Sequence, residues 1–385
     1  MDRCRFAGPL LRMFRIQNNW SQGTLCHGIC AVSYLSKIEQ GKAEPNEQLL
    51  ADLFNRLGVT WDESPQAFAL RDDLYEGIFS LDEAAVQRKM EVLDDSWDQI
   101  AIGPCYADFL VIRAYHYRKA DWIPKELESI LDARQLALVA ILHNRDEDAY
   151  HLYPCALTAV CVGEEALLNG NYTRSLEYFQ LAYDMAAREG YAHLMMFSQH
   201  CMAASYSDMG NLDAMYRHSK IAERLGRALG ADDVVAVIHY NIAATKVEYG
   251  DYDGGYRYFS TLEEPDAMAL HKLSVCCEAL GKEEEALAAI QKAIEKTELL
   301  PSEAAIKKEI CELVLYRLEH PDYLHDQIYG ELLLRTYEKI ENELSSGFKR
   351  FHLPWVTQWL TANRQYRKAY EIMQRFPYNS VLDGH

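Results

Sequence analysis

Apolar residues recur along this chain with the spacing of amphipathic helices. Ala31, Leu35 and Ile38 fall four and then three positions apart, which places them on one stripe of an α-helix. The same spacing returns in residues 175–182 and 286–293. No segment shows a convincing alternation of apolar and polar residues, the pattern of a half-buried strand. We therefore predict an all-α protein.

Residues 20–41 predict two short helices joined by a tight turn. Ser21 can cap the first helix, and Trp20 can pack onto Leu25 one turn later. Gly41 can end the second helix because glycine readily adopts the left-handed conformation. The face of the second helix opposite its apolar stripe carries small or hydrogen-bonding side chains suited to a DNA groove: Val32, Ser33, Ser36, Lys37 and Gln40.

Four or five helices make up a head domain, predicted over residues 1–62. The first runs from about Pro9 to Asn18, and the last opens at Asn46 and ends at Gly58, because these residue types mark helix starts and ends. We expect a break around residues 60–65, a connecting helix within residues 63–80, and a helical body over residues 81–385.

The body contains glycines at one register, each between two amphipathic helices. Their spacings of 40, 40 and 31 residues compare with about 34 in the commonest helical-pair repeat, so we expect helices of uneven length. The four glycines are Gly170, Gly210, Gly250 and Gly281. Weaker copies extend over residues 106–119, 124–140, 303–318, 327–344 and 354–376.

Charge is distributed unevenly between head and body. The net charge is −19, yet residues 1–60 hold seven basic and five acidic residues, which leaves −21 for the remainder. A near-neutral head on an acidic body is typical of a DNA-reading domain attached to a domain with another partner. One such head attracts phosphate weakly, so we expect a homodimer that places two heads on one DNA.

Several classes of protein are excluded by the sequence. No apolar run is long enough to span a membrane, and the N-terminus lacks the features of a signal peptide. Ten cysteines occur without a C-x-x-C pair, as expected of reduced thiols in a cytoplasmic protein. Cys26, His27 and Cys30 lack a second ligand pair, so we expect no metal and no other cofactor. The usual hydrolase, metalloprotease and nucleotide-binding motifs are absent, and we expect no enzyme activity.

The head resembles the Cro/repressor-type helix-turn-helix family over residues 12–59. The matching positions are Arg15, Ser21, Gln22, Leu25, Ser33, Leu35, Ser36, Ile38, Glu39, Gly41 and Pro45. This resemblance implies that Gln22 holds a phosphate and that Ala31, Val32, Ser33 and Lys37 face base edges. Ser36 and Lys42 complete the expected DNA-binding set. The alternative is that Ser33, Ser36 and Lys37 form an ordinary solvated face.

The turn of the head, from Cys26 to Cys30, is one residue shorter than is usual in that family. This variant resembles the head of the peptide-pheromone-binding regulators, the group of PlcR, Rgg, NprR and PrgX. The resemblance also implies that Arg15 and Glu39 tie the first helix to the recognition helix. We interpret these two residues as structural.

The body resembles the tetratricopeptide repeat, in which stacked helix pairs form a right-handed superhelix with a groove. That resemblance implies which positions of each first helix face the groove. The expected groove residues are Phe197, His200, Cys201 and Ala204 in the second repeat, Val237, Tyr240, Asn241 and Ala244 in the third, and Met268, His271, Lys272 and Val275 in the fourth.

Asn241 is the strongest candidate for peptide binding. Its amide offers a donor and an acceptor, so it can pair with the backbone of an extended peptide, and groove asparagines have this role in the pheromone-binding group. The alternative is that Asn241 bonds a neighbouring helix. Phe197, Tyr240 and Met268 can form apolar pockets or belong to the core between repeats.

Two hypotheses follow from these patterns. The first is a dimeric transcriptional regulator that binds a palindromic operator in double-stranded DNA and is controlled by a short signalling peptide in the groove. The alternative is a repeat protein that acts by binding a partner protein, with a head that serves mainly for dimerisation.

Overall fold

The computed structural model describes residues 4–59, 61, 64–97, 103–128, 130–297, 304–344 and 346–374. All regular secondary structure within these ranges is helical, which confirms the predicted all-α class. The chain divides into two compact units. The first comprises Met1–Glu165 and Glu177–Ser198, and the second comprises Ala166–Leu176 and Gln199–His385.

The head is the N-terminal part of the first unit. Its helices are α1 (Cys4–Gln17), α2 (Gln22–Cys26), α3 (Val32–Glu39) and α4 (Glu47–Arg56). The expected start of α1 at Pro9 was wrong, because the helix begins at Cys4 and contains Pro9. The early turns of α1 carry packing contacts that favour this extension: Ala7 is fully buried, and a Cβ on Gly8 would lie 1.9 Å from the carbonyl oxygen of Ile38.

The head core is shared with later helices of the first unit. These helices are α5 (Pro65–Ser80), α6 (Glu83–Asp95), α7 (Tyr106–Tyr117), α8 (Lys125–Glu128), α9 (Ala133–Leu142) and α10 (Asp146–Leu152). Leu110 of α7 and Leu127 of α8 belong to the same buried cluster as Leu53 and Phe54 of the head. The ring of Phe14 also lies 5.7 Å from that of Tyr106. The head is therefore packed against the helices that follow it.

The connection between head and body is described only in part. Helix α5 occupies most of the expected connecting segment, with Ser64 as its N-cap. Thr60, Asp62 and Glu63 lie outside the described residues, so the domain boundary at residue 62 stays a prediction.

The four turn glycines lie between consecutive helices, as the repeat register predicts. Their φ angles lie between 71° and 83°, a conformation that costs glycine little. The helix pairs are α11 (Ala156–Leu168) with α12 (Tyr172–Glu189), α13 (Ala192–Asp208) with α14 (Leu212–Leu229), α15 (Asp232–Glu248) with α16 (Tyr252–Phe259), and α17 (Ala267–Ala279) with α18 (Glu283–Thr297). The helix lengths differ strongly, with 18 residues in α14 and 8 in α16, as the uneven spacing predicts.

The second unit ends in helices α19 (Ala304–Glu319), α20 (Gln327–Glu343), α21 (Ser346–Ala362) and α22 (Tyr366–Met373). Two of the segments expected as weaker copies of the repeat each contain two helices. The segment 124–140 is split into α8 and α9, because Asp132 and Gln135 form a capping box that starts a new helix. The segment 354–376 is also two helices, with Pro354 inside α21; Glu303 and Phe376 lie outside the described residues.

Candidate DNA-binding surface and ligand cavity

Local capping residues fix the geometry of α2 and α3. The hydroxyl of Ser21 accepts a hydrogen bond from the amide of Thr24 at 3.0 Å, as the sequence predicts for a cap. Gly28 in the short turn and Gly41 after α3 have φ angles of 74° and 69°. Ala31 is the N-cap residue of α3. The chain therefore enters and leaves α3 through turns that its own residues favour.

An ion pair ties α1 to α3. The guanidinium of Arg15 donates from Nε to Glu39 Oε1 at 2.6 Å and from Nη2 to Glu39 Oε2 at 2.9 Å. A third nitrogen of Arg15 donates to the carbonyl oxygen of Trp20 at 2.8 Å. The hydrogen bond to Glu39 raises the pKa of Arg15. This arrangement confirms the structural role expected for Arg15 and Glu39.

Gln22 joins this network at the start of α2. Its amide nitrogen donates to Glu39 Oε2 at 2.9 Å, and its side chain is half-buried. The amide therefore links α2 to α3. The phosphate contact expected of Gln22 stays a prediction, because the amide oxygen and the second amide hydrogen are not used by this bond.

The remaining candidates for DNA contact share the outer face of α3 and the turn after it. Ala31, Ser33, Lys37 and Lys42 are exposed, and Val32 is 49% exposed. Ser36 is half-buried, and its hydroxyl lies 3.2 Å from the amide nitrogen of Gln40. The expectation that Ala31 packs in the apolar stripe was wrong, because as the cap it precedes the helix. Exposure of this face fits contact with DNA, which stays a prediction.

A cavity of about 330 Å³ lies within the second unit. The first helices of the repeats, α11, α13, α15 and α17, all contribute to its lining, as does the N-terminal part of α21. Its volume is at the lower end of the range typical of small-ligand pockets, about 300–1,000 Å³. The cavity is thus the candidate binding site of the repeat domain.

Half of the expected groove residues line this cavity. They are His200, Ala204, Tyr240, Asn241, Ala244 and Lys272. Asn241 is exposed, and within the described residues its amide makes no hydrogen bond to a neighbouring helix. A free amide in a cavity is the arrangement that peptide-backbone pairing requires.

The other expected groove residues do not line the cavity. Val237 is 50% exposed. Phe197 packs against the core of the first unit. Four residues are buried: Cys201, Met268, His271 and Val275. The register of the turn glycines places the correct helices at the cavity, but packing of neighbouring helices decides which side chains stay accessible.

The sequence did not reveal the wall that α21 supplies. Gly347, Phe348, Arg350 and Phe351 line the cavity, although α21 follows α15 by about a hundred residues. No local pattern marks these positions, because their role depends on a contact distant in sequence. We therefore regard α21 as part of the candidate site.

Arg350 holds two first helices of the repeats together at this wall. It binds Glu248 of α15 in a bidentate pair whose second bond measures 3.1 Å. Its third nitrogen lies 3.0 Å from Asp208 of α13. The side chains of Arg350, Glu248 and Asp208 are 20%, 11% and 12% exposed. Burial raises the pKa of Glu248 while Arg350 opposes that effect, so the pair depends on both partners.

Two buried histidines pack behind the cavity wall. His271 of α17 and His352 of α21 are each 1% exposed, and among the described residues neither ring nitrogen of His271 has a hydrogen-bond partner. Burial lowers the pKa of His271 well below its usual value and that of His352 to about 3. The positive charges of Lys272 and Arg317 lower both further.

These histidines are expected to destabilise the protein as the pH falls. The unfolded chain binds protons below about pH 6.5, whereas the folded rings stay neutral, so stability is lost on acidification. Glu164, whose pKa burial raises to about 7, acts in the opposite direction. The measurement is therefore the difference in unfolding free energy between the wild type and His271→Leu. We expect this difference to shift by about 2 kcal/mol in favour of the variant between pH 7.5 and pH 5. A difference that does not depend on pH would contradict the claim that His271 stays neutral in the folded protein.

Other kinds of site are not evident in the part of the chain that the structure describes. No group of histidine, cysteine or carboxylate side chains there could hold a metal ion. No helix in the described ranges combines the length and apolar composition of a membrane span. Among the described cysteines none forms a disulfide, and most are buried.

Comparison with known proteins agrees with both parts of the architecture. Residues 11–64 match the helix-turn-helix family. The quorum sensor NprR from B. thuringiensis in its apo form is similar in fold, with a TM-score of 0.54 and 12% identity over 82% of this chain and 99% of that one. NprR in complex with its cognate peptide NprX gives a TM-score of 0.52 and 15% identity over 81% and 99%. No curated protein sequence matches the chain. The predicted helix-turn-helix head and the predicted fold resemblance are thereby confirmed.

Proposed function

We propose that this chain is a sequence-specific DNA-binding regulator of transcription, controlled by a short signalling peptide that binds in the cavity of the second unit. The observation that carries this proposal is the free amide of Asn241 in that cavity, in a chain whose head presents an exposed α3 face. NprR, which is similar in fold, has been solved with a peptide bound. Regulation by a peptide is therefore the function that the two sites together support best.

The head has features required for reading DNA. The outer face of α3 is exposed, and the ion pair of Arg15 with Glu39 joins α3 to α1. A rigid helix with free polar side chains can enter the major groove and pair with base edges. The net charge of +2 on residues 1–60 supplies little attraction to phosphate, so the proposal includes a homodimer on a palindromic operator.

The cavity can couple peptide binding to the head through a change in the repeats. A ligand that binds one arrangement of the repeats more tightly than another shifts the protein toward that arrangement. In a dimer, such a shift changes the spacing of the two heads relative to their half-sites.

Selection from random double-stranded DNA tests the DNA-binding part. The wild type is expected to enrich one two-fold symmetric motif, and Ser33→Ala combined with Lys37→Ala is expected to bind that motif at least tenfold more weakly, because each base contact contributes about 1–3 kcal/mol. Lys119→Ala, which removes an exposed charge outside the head, serves as the control. Failure of the wild type to enrich any motif would favour a repeat protein that acts on a partner protein instead.

A further inference from the structure

One lysine of the cavity is buried without an acidic partner. Lys272 of α17 is only 9% exposed and lines the cavity. Its Nζ donates to the hydroxyl of Tyr240 at 3.3 Å. Within the described residues, Lys272 forms no ion pair and no other hydrogen bond. An ammonium group has three donors, so most of its bonding capacity is unused.

The carboxylates near Lys272 are engaged elsewhere. Glu248 is bound by Arg350. Asp266 caps α17 by accepting from the amide of Ala269 at 2.6 Å. Both attract Lys272 through space, but neither lies within the distance of an ion pair. Burial lowers the pKa of Lys272 to about 8, so the group is mainly a cation at neutral pH.

Aromatic rings surround this cation and offset part of its burial cost. The Nζ atom lies 5.3 Å from the ring centre of Tyr240, 5.8 Å from that of Phe348 and 5.5 Å from that of Phe351. Each such contact stabilises the cation only modestly, whereas burying an unpaired charge is strongly unfavourable. A ligand that carries a negative group would supply the missing partner of this buried charge.

Lys272 and Asn241 line the same cavity, so one bound peptide can contact both side chains. Tyr240, which accepts the bond from Lys272, precedes Asn241 in α15. This cavity is also lined by apolar residues, namely Leu168, Ala203, Ala204, Ala244 and Phe348. The Asn241 amide can pair with a peptide backbone, and the Lys272 ammonium can pair with a carboxylate. The apolar lining can accommodate an apolar side chain. Together these groups suit the end of a peptide that carries both a carboxylate and an apolar side chain.

We propose that Lys272 binds a carboxylate of the ligand, the C-terminal carboxylate of a short peptide whose last side chain is apolar. This assignment rests on the proposed peptide-binding function and names the chemical group that the cavity selects. Arg350 does not compete for this carboxylate, because Glu248 and Asp208 occupy its nitrogens.

A pool of mixed-sequence pentapeptides, synthesised once with free C-terminal acids and once as C-terminal amides, tests the assignment. Peptides retained by the protein on size exclusion are identified by mass spectrometry, and the affinity of the most enriched sequence is measured by calorimetry. The wild type is expected to bind the free acid roughly tenfold to a hundredfold more tightly than the amide, the usual effect of one charge-assisted hydrogen bond. Lys272→Met is expected to lose the same factor for the acid and to bind the amide as the wild type does.

Matched variants separate the outcomes. Lys272→Met is expected to unfold at the same or a higher denaturant concentration, because it removes a buried charge, so its loss of binding is not a loss of folding. Lys282→Met, which changes a half-buried lysine paired with Glu285 outside the cavity lining, should bind like the wild type. Equal retention of acids and amides overturns the assignment, as does tight binding of the acid by Lys272→Met.

Two other outcomes of the peptide-pool experiment would also overturn the C-terminal assignment. Enrichment of amidated peptides that carry Asp or Glu, lost in Lys272→Met, would assign Lys272 to a side-chain carboxylate and overturn the C-terminal assignment. Retention of no peptide from either pool by the wild type would contradict the proposed peptide binding itself, and with it this inference.

Discussion

Replacement of Arg350 by methionine is expected to lower the unfolding free energy of the second unit by about 3–5 kcal/mol, the usual cost of breaking a buried ion pair by removing one partner. The variant leaves Glu248 buried without its bidentate partner and removes the bond to Asp208. Chemical denaturation of the full chain, followed by far-ultraviolet circular dichroism, measures this loss.

The control for Arg350 is a second arginine in an exposed pair. Arg367 lies 93% exposed and pairs with Glu371 one turn away, and such surface pairs contribute about 0.3–0.5 kcal/mol. Arg367→Met should therefore unfold almost like the wild type. Adding Glu248→Gln and Asp208→Asn to Arg350→Met should recover part of the stability, because it removes the uncompensated charges. A loss below about 1 kcal/mol for Arg350→Met would contradict the assigned role.

Glu39→Gln is expected to destabilise the head by about 3 kcal/mol and to weaken DNA binding together with it. The carboxylate of Glu39 accepts two bonds from Arg15 and one from Gln22, and its side chain is 3% exposed. The neutral amide leaves the charge of Arg15, which is 13% exposed, without its partner. Because the same network links α1, α2 and α3, the orientation of the recognition helix is lost with it.

Hydrogen exchange of residues 22–39 and affinity for the selected operator measure this effect. Faster exchange should accompany weaker binding in Glu39→Gln. Glu44→Gln removes the same charge from an exposed position and should bind DNA as tightly as the wild type or slightly more tightly. If Glu39→Gln kept both slow exchange and full affinity, the pair would not hold the recognition helix.

The helices of the head could be predicted well because the residues that start and end them lie close to those ends in the sequence. Ser21, Gly41 and Asn46 act as caps or stops within a few residues of where they lie. The pair of Arg15 and Glu39 can be expected from the sequence because it belongs to a family pattern. Pro9 misled the prediction for α1, since the contacts of Ala7 and of Gly8 outweigh one missing amide.

The cavity could be predicted only in part because its geometry is not local. Turn glycines indicate where each helix of a pair ends, so α13, α15 and α17 were placed correctly. Whether a side chain is accessible or buried depends on its neighbours in the fold, so Asn241 lines the cavity whereas Met268 is buried. Arg350 and Glu248 are 102 residues apart in the sequence, and no pattern within either helix predicts their contact.

The response of operator binding to a peptide shows whether this chain is a peptide-controlled regulator. The affinity of the purified full chain for its selected operator is measured with and without the peptide fraction of the growth medium of its native host, for the wild type and for Asn241→Ala. We expect the fraction to change the wild-type affinity by about 5–150-fold, the usual range of coupling between two sites, and to leave Asn241→Ala unchanged. An operator affinity that the peptides do not alter in the wild type, or that they alter equally in both proteins, would rule out control of DNA binding through Asn241 and the cavity.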